Sequence, residues 1–142
     1  MNPFRSLSEY EKFIYTLQQR FPSISQSTLT VARRGRGFAV LTGELIISGR
    51  FRLAAREILT WDAGDLAIQH YGYEVWLGAE KFYWYDPQPH PDDPSLASTP
   101  PHHKHVPPDI KHHRVPAPGL RFDGPNLPLL IEEVESILAK QS

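Results

Sequence analysis

Five of the seven histidines of this 142-residue chain lie between residues 98 and 119, in "STPPHHKHVPPDIKHHRVPAPG". His102, His103 and His105 flank Lys104, with Asp86 and His90 upstream and His112 and His113 downstream. Imidazole is the one side chain whose ordinary titration range lets it give or take a proton near neutrality. Cleavage of RNA by its own 2′-hydroxyl needs a base for that proton, an acid for the departing 5′-oxygen, and cations for the phosphorane charge. Two histidines, a lysine and an arginine meet those needs without metal. Metal ligation is the rival use. His103 and His105, two apart in extended chain, point the same way and can share an ion with His90 or Asp86. The spacing matches none of the strong zinc signatures such as HExxH. A solvated loop without chemistry is the third reading. The expectation is chemistry without metal or cofactor, with no convergence of three ligands.

A second set of polar residues is the run of arginines. Residues 1–61 carry nine Lys/Arg against four Asp/Glu, and residues 62–142 carry six against twelve. Eight of the nine early bases are arginine, whose planar fork suits phosphate or carboxylate better than lysine does. In "RFRLAAREILTW", period-two alternation puts Arg50, Arg52, Ala54, Arg56 and Ile58 on one face. Phe51, Leu53, Ala55, Glu57, Leu59 and Trp61 share the other, which reads as core. In "LAIQHYGYEVW", Gln69, Tyr71 and Tyr73 share a face, and His70 points the opposite way with Ile68. If the tyrosine face is the arginine face, planar rings and cations together are what single-stranded nucleic acid binds. Cross-strand packing of the tyrosines and solvation by the arginines are the plainer alternatives.

The elements that must position these groups follow from hydrophobic spacing. "RSLSEYEKFIYTLQQRF" opens with Ser6 and Glu9 at capping-box spacing, repeated by Ser8 and Glu11. Tyr10, Phe13, Ile14, Leu17 and Phe21 then form an apolar helical stripe that Pro22 ends. From Ser27 to Asp86 the period becomes two. Gly35-Arg36-Gly37, Gly49-Arg50, "DAGD" and "LGAE" are short connections, which force antiparallel neighbours. Gly43 reads as a bulge or break within a strand. Residues 87–118 hold ten of the fourteen prolines and six of the histidines, and read as a long functional loop without regular elements. "NLPLLIEEVESILAKQS" closes the chain as an amphipathic helix over 127–139, with Leu127, Leu130, Ile131, Val134, Ile137 and Leu138 on one stripe.

The expected fold is therefore α+β: an antiparallel meander of four to five strands over residues 28–86, packed by an N-terminal and a C-terminal helix. At this length residues 1–142 read as one domain. Forty per cent apolar and 22% charged residues exclude wholesale disorder. Without cysteine, disulfides, thiol catalysis and Cys-containing zinc sites are excluded. "MNPFRSLSEY" has no apolar leader core, and no run approaches a spanning helix, so the chain reads as cytoplasmic with no membrane partner.

"EKFYWYDPQPHPDDPSLASTPPHHKHV" resembles the signature of the TumE-like toxin family of toxin–antitoxin pairs. There, a strand ending in an aromatic–Asp step runs into a Pro–His segment, and a His-His-x-His-Val motif follows. The tyrosine alternation of "HYGYEVW" and the helix "LLIEEVESIL" are similar as well, so the resemblance spans roughly residues 45–139. The matching positions are Asp86, Pro89, His90, His102, His103, Lys104 and His105. Pro87 and Pro91 stand where the family often has asparagine and a second histidine, and "KHHR" at 111–114 lies outside the motif. The resemblance implies a toxin neutralised by a cognate antitoxin and acting on RNA, with a fold akin to the RelE-like ribonuclease toxins.

The combined expectation is a metal-independent ribonuclease toxin. His102, His103, His105, Lys104, His90 and Asp86 are its candidate catalytic groups, and Arg50, Arg52, Arg56, Tyr71 and Tyr73 its RNA-binding groups. A non-catalytic RNA- or protein-binding module and a metal-dependent nuclease are the alternatives, and a homodimer stays open.

Overall fold

The computed structural model describes residues 2–61 and 64–141; Asp62 and Ala63 of the "DAGD" connection lie outside the described residues. Helices α1 (Leu7–Tyr15) and α2 (Leu17–Arg20) precede strands β1 (Ile24–Ser27), β2 (Thr30–Arg33), β3 (Phe38–Ile47), β4 (Phe51–Thr60), β5 (Ala67–Leu77) and β6 (Glu80–Asp86). Two short strands, β7 (His103–His105) and β8 (Arg114–Pro116), come next, and α3 (Leu127–Gln141) ends the chain. All eight strands form one antiparallel sheet in the order β1-β3-β4-β5-β6-β7-β8, with β2 beside β1 on the same edge of β3. Among the described residues, no helix is long and apolar enough to cross a membrane.

Ser6 caps α1, its Oγ accepting from the Glu9 N–H at 3.1 Å, the first half of a capping box. The single helix expected over 8–21 is broken at Thr16. Its hydroxyl donates to the Lys12 carbonyl at 2.7 Å, a competition with the helical ladder that bends or ends helices. Both pieces keep the expected stripe, and Tyr10, Phe13, Ile14 and Leu17 are buried. Together with α3 they cover one face of the sheet, where Leu53, Ile131 and Val134 are fully inaccessible. Each such side chain contributes about 1.5–3 kcal/mol by leaving water. Among the described residues, no α-helix covers the opposite face.

Three expectations are corrected. The sheet has eight strands, not four or five. Gly43 does not break its own strand. With φ of +136° it lets the crossing between β1 and β2 come so close that a Cβ there would sit 2.5 Å from the Thr28 carbonyl oxygen. Most consequentially, the His/Pro segment is not a loop throughout. Residues 103–105 contain no proline, so their backbone can pair with β6, and Pro116 falls at the end of the edge strand β8, where no inward donor is missed.

Candidate active site on the open sheet face

The register of β6 against β7 builds the site. Tyr83 and Tyr85 of β6 point to the helices, so Trp84 and Asp86 point to the open face. His103 stands opposite Asp86 and His105 opposite Trp84, which brings all four side chains to one face. His105 stacks flat on Trp84 with centroids 3.6 Å apart and an interplanar angle of 3°. The Asp86 carboxylate reaches His103 Nε2 at 3.1 Å and His105 Nε2 at 3.3 Å, and the two Nε2 atoms are 3.0 Å apart. Both imidazoles are buried, and the Asp86 side chain keeps 18% of its exposure. Asp86, His103 and His105 thus present three ligand atoms within 4.8 Å of one another. No three ligands were expected to converge on an ion at about 2.0–2.2 Å; here three potential ligand atoms come near one another.

The tautomers follow from the second nitrogens. His103 Nδ1 lies 3.2 Å from the Pro101 carbonyl and His105 Nδ1 lies 3.0 Å from the Ile110 carbonyl. A carbonyl oxygen only accepts, so each Nδ1 carries the hydrogen and donates. The two Nε2 atoms face each other and the Asp86 carboxylate. Burial pushes His105 below the ordinary histidine range, against the pull of Asp86.

His90 packs edge-on to His103, 4.8 Å between centroids. Desolvation and then the nearby Arg114 and His103 hold it below the ordinary value. Arg114, across β8 from His105, has a buried Nε with no hydrogen-bond partner among the described residues. From the other side Asp86 borders a groove of about 370 Å³, walled by Arg56, His70, Glu74 and Trp84 over Gly72. A Cβ placed on Gly72 would meet nothing within 4 Å, so this glycine keeps the groove open. Along its rim Arg52 lies over Trp76 at 4.9 Å, and Lys81 lies over both Trp76 and Trp84 at 5.6 and 5.3 Å.

Two of the six candidate catalytic groups face elsewhere. Lys104 alternates with its histidine neighbours and points to the helices, where its Nζ donates to Glu133 at 3.0 Å, above Tyr83. His102 also turns to the covered face, its Nδ1 2.5 Å from the Tyr71 hydroxyl and its ring stacked on Tyr71. The tyrosines do not share the arginine face, a point that the sequence left open. A bulge at Gln69 shifts the register between Ile58 and Leu59, so Ile68, Tyr71 and Tyr73 all lie with the core. Arg52 and Arg56 are on the open face with His70. Arg52 is tied to Glu44 at 2.5 Å, Arg50 sits in the turn before β4, and Arg56 is exposed at the groove. His112 and His113 are exposed.

Trp84, Gly72 and Arg114 were not singled out from the sequence. Trp84 was within reach, since alternation in "KFYWYD" puts it with Asp86 and against the tyrosines. Arg114 gave no signal before its pairing with His105 was known.

Residues 12–138 match the family described as toxin TumE. The chain belongs to that family. Its role is that of a toxin, and an antitoxin is the partner that such a family implies in general. No curated protein and no solved structure matches it. The matched span contains the whole cluster of this TumE-family chain, from Arg56 to Arg114.

Proposed function

We propose that this toxin cuts RNA on the open face of its sheet, at the Asp86–His103–His105 cluster. The observation that carries the reading is the juxtaposition of two buried imidazoles and a carboxylate with a groove whose rim alternates cations and indoles. Indole faces stack bases irrespective of sequence, and guanidinium groups bind the phosphates between them. Arg56 and Arg114 are the groups available for phosphate, and Trp76 and Trp84 those for bases. Helices on one face of an antiparallel sheet are also the layout of RelE-like ribonuclease toxins, an analogy of fold that assigns no chemistry.

In its simplest form the step needs only protons. The 2′-oxygen bonds to phosphorus as the bond to the 5′-oxygen breaks, leaving a 2′,3′-cyclic phosphate and a free 5′-hydroxyl. His90 takes the 2′-hydroxyl proton, and a proton held between His103 and His105 passes to the 5′-oxygen. Lys104 and His102 act from the covered face, as a tie to α3 and a packing partner of Tyr71.

The test is cleavage of a defined RNA oligonucleotide by wild-type, His103→Ala, His105→Ala and Gly72→Leu proteins. General acid–base groups are each worth about 10²–10⁴ in rate, so either histidine variant should fall by that order. Gly72→Leu should fold normally yet fail to cleave, because its side chain fills the groove. Intact RNA at protein levels that arrest growth, or unimpaired growth arrest by both histidine variants, would end the ribonuclease reading. The face would then be a binding surface, for which its apolar end at Phe38 and Ile58 is suited.

A further inference from the structure

The lone-pair geometry of the cluster asks for a positive occupant. Both Nδ1 hydrogens are committed to carbonyls, so the two Nε2 atoms are the ring positions left for a further partner, and they and an Asp86 oxygen lie within 4.8 Å of one another. Among the described residues, the one further donor to the Asp86 carboxylate is the Gln88 N–H, 2.8 Å from Oδ1. Neither Nε2 has any donor among the described residues except its neighbour. We infer that Asp86, His103 and His105 form a binding site for one divalent first-row transition ion. The inference concerns the same cluster as the proposed ribonuclease but does not require that RNA be the substrate.

Distances support it. Ligand atoms at about 2.1 Å from an ion lie about 3.0 Å apart at right angles and about 3.4 Å apart at tetrahedral angles. The observed separations are 3.0 Å between the two Nε2 atoms, 3.1 Å from His103 Nε2 to Asp86 Oδ1 and 3.3 Å from His105 Nε2 to Asp86 Oδ2, with one ligand atom from each residue within 4.8 Å of the others. Imidazoles whose remote N–H groups donate to backbone carbonyls are held as metal-ligating histidines usually are, with tautomer and ring orientation fixed. The flat stack of His105 on Trp84 fixes that ring further. Two imidazoles and one carboxylate leave further coordination positions free, and Asp86 is shared with the groove wall, so a phosphate or water oxygen in the groove can reach the ion. Such an ion would take over the acid's part by polarising the phosphate and holding the departing oxygen. His112 and His113, exposed at the far end of the segment, are outside the site.

The experiment strips the full-length protein with chelator and titrates it with Co²⁺, followed by visible absorption, and with Zn²⁺ and Mn²⁺, followed by calorimetry. One ion per chain is expected, with a rise in melting temperature on binding. His103→Ala and Asp86→Asn should each weaken binding by about 100-fold or more, while His112→Ala/His113→Ala leaves it unchanged. Circular dichroism of each metal-free variant separates lost ligation from lost folding. Failure of all three ions to bind below millimolar concentration would overturn the inference, as would binding that persists in folded His103→Ala and Asp86→Asn proteins. Cleavage by a protein that binds none of the three ions would overturn it while leaving the ribonuclease reading intact. Stoichiometric binding by a protein that leaves RNA uncut would do the reverse.

Discussion

Two carboxylates on opposite faces of one sheet have opposite surroundings. Glu57, wholly inaccessible on β4, accepts from the Tyr10 hydroxyl at 2.6 Å and from the Tyr73 hydroxyl. Asn126 Nδ2 in turn donates to the Tyr73 oxygen at 3.1 Å, and its own carbonyl accepts from the Arg121 N–H. Donors match acceptors throughout, and the cluster ties α1 and the segment before α3 to the sheet. Asp86, partly exposed on β6, faces the Nε2 atoms of two imidazoles. With both imidazoles neutral, as the inferred ion site requires, acceptors outnumber donors there. A satisfied polar cluster in low dielectric rigidifies a fold, whereas one with surplus acceptors is unstable until a cation fills it. The same residue types thus serve structure on one face and, in the proposed reading, chemistry on the other.

The comparison breaks most visibly in activity. Asp86→Asn, which keeps the shape, should lower RNA cleavage by about 10²–10⁴, the range for a lost acid–base or ligating group. Glu57→Gln should leave cleavage per folded molecule nearly unchanged. Equal losses in single-turnover assays of the two purified variants would erase the distinction.

Stability should move in opposite directions for the same two changes. Gln at position 57 brings a buried NH₂ with no acceptor and cannot take both tyrosine hydroxyls, so unfolding in urea should show a loss of about 1–3 kcal/mol. Asn at position 86 supplies the missing donor, so in chelator its stability should be equal to wild type or higher by about 0.5–1.5 kcal/mol. Destabilisation of metal-free Asp86→Asn would mean that the imidazole pair is held by charge instead of lacking a donor.

The pH dependence sharpens the Glu57 half. Burial raises its pKa above the ordinary 4.5, against the two tyrosine hydrogen bonds that lower it. A raised folded-state value means that the native state holds the proton longer than the unfolded chain. The stabilisation is complete below the ordinary glutamate range and is lost as pH rises through the folded value. The stability advantage of wild type over Glu57→Gln should therefore be largest near pH 4 and shrink toward neutrality. A gap that widens with pH would reverse the assignment.

The smallest effect is expected at Lys104. Its bond to Glu133, which also accepts from Tyr85 at 2.8 and 2.9 Å, joins β7 to α3. Lys104→Met should cost about 1 kcal/mol, the scale of a partly exposed ion pair, with cleavage kept within about threefold. A hundredfold loss of cleavage in a folded Lys104→Met protein would return Lys104 to the catalytic set.

Much of this was legible in the chain itself. Helical stripes located the N-terminal helical segment, without its break at Thr16, and α3, and alternation in "RFRLAAREILTW" separated buried Phe51, Leu53, Ala55, Glu57 and Leu59 from the arginines, as observed. Short turns dictated antiparallel neighbours, and the histidine motif marked the segment that reaches the site. These signals are local, written in spacing over a few residues.

What only the tertiary structure decided was pairing across long separations and the faces that follow from it. Because the side-chain period of a strand is two, one extra residue exchanges its faces. The bulge at Gln69 did that, moving Tyr71 and Tyr73 into the core and away from Arg56. Nor does composition reveal that three proline-free residues, seventeen positions beyond Asp86, will add a strand to β6. Once His103–His105 pairs there, alternation sends Lys104 to the helices and both imidazoles to Asp86. The sequence determined which residue types the site has at its disposal. Strand register, fixed by hydrogen bonds between distant segments, decided which of them meet.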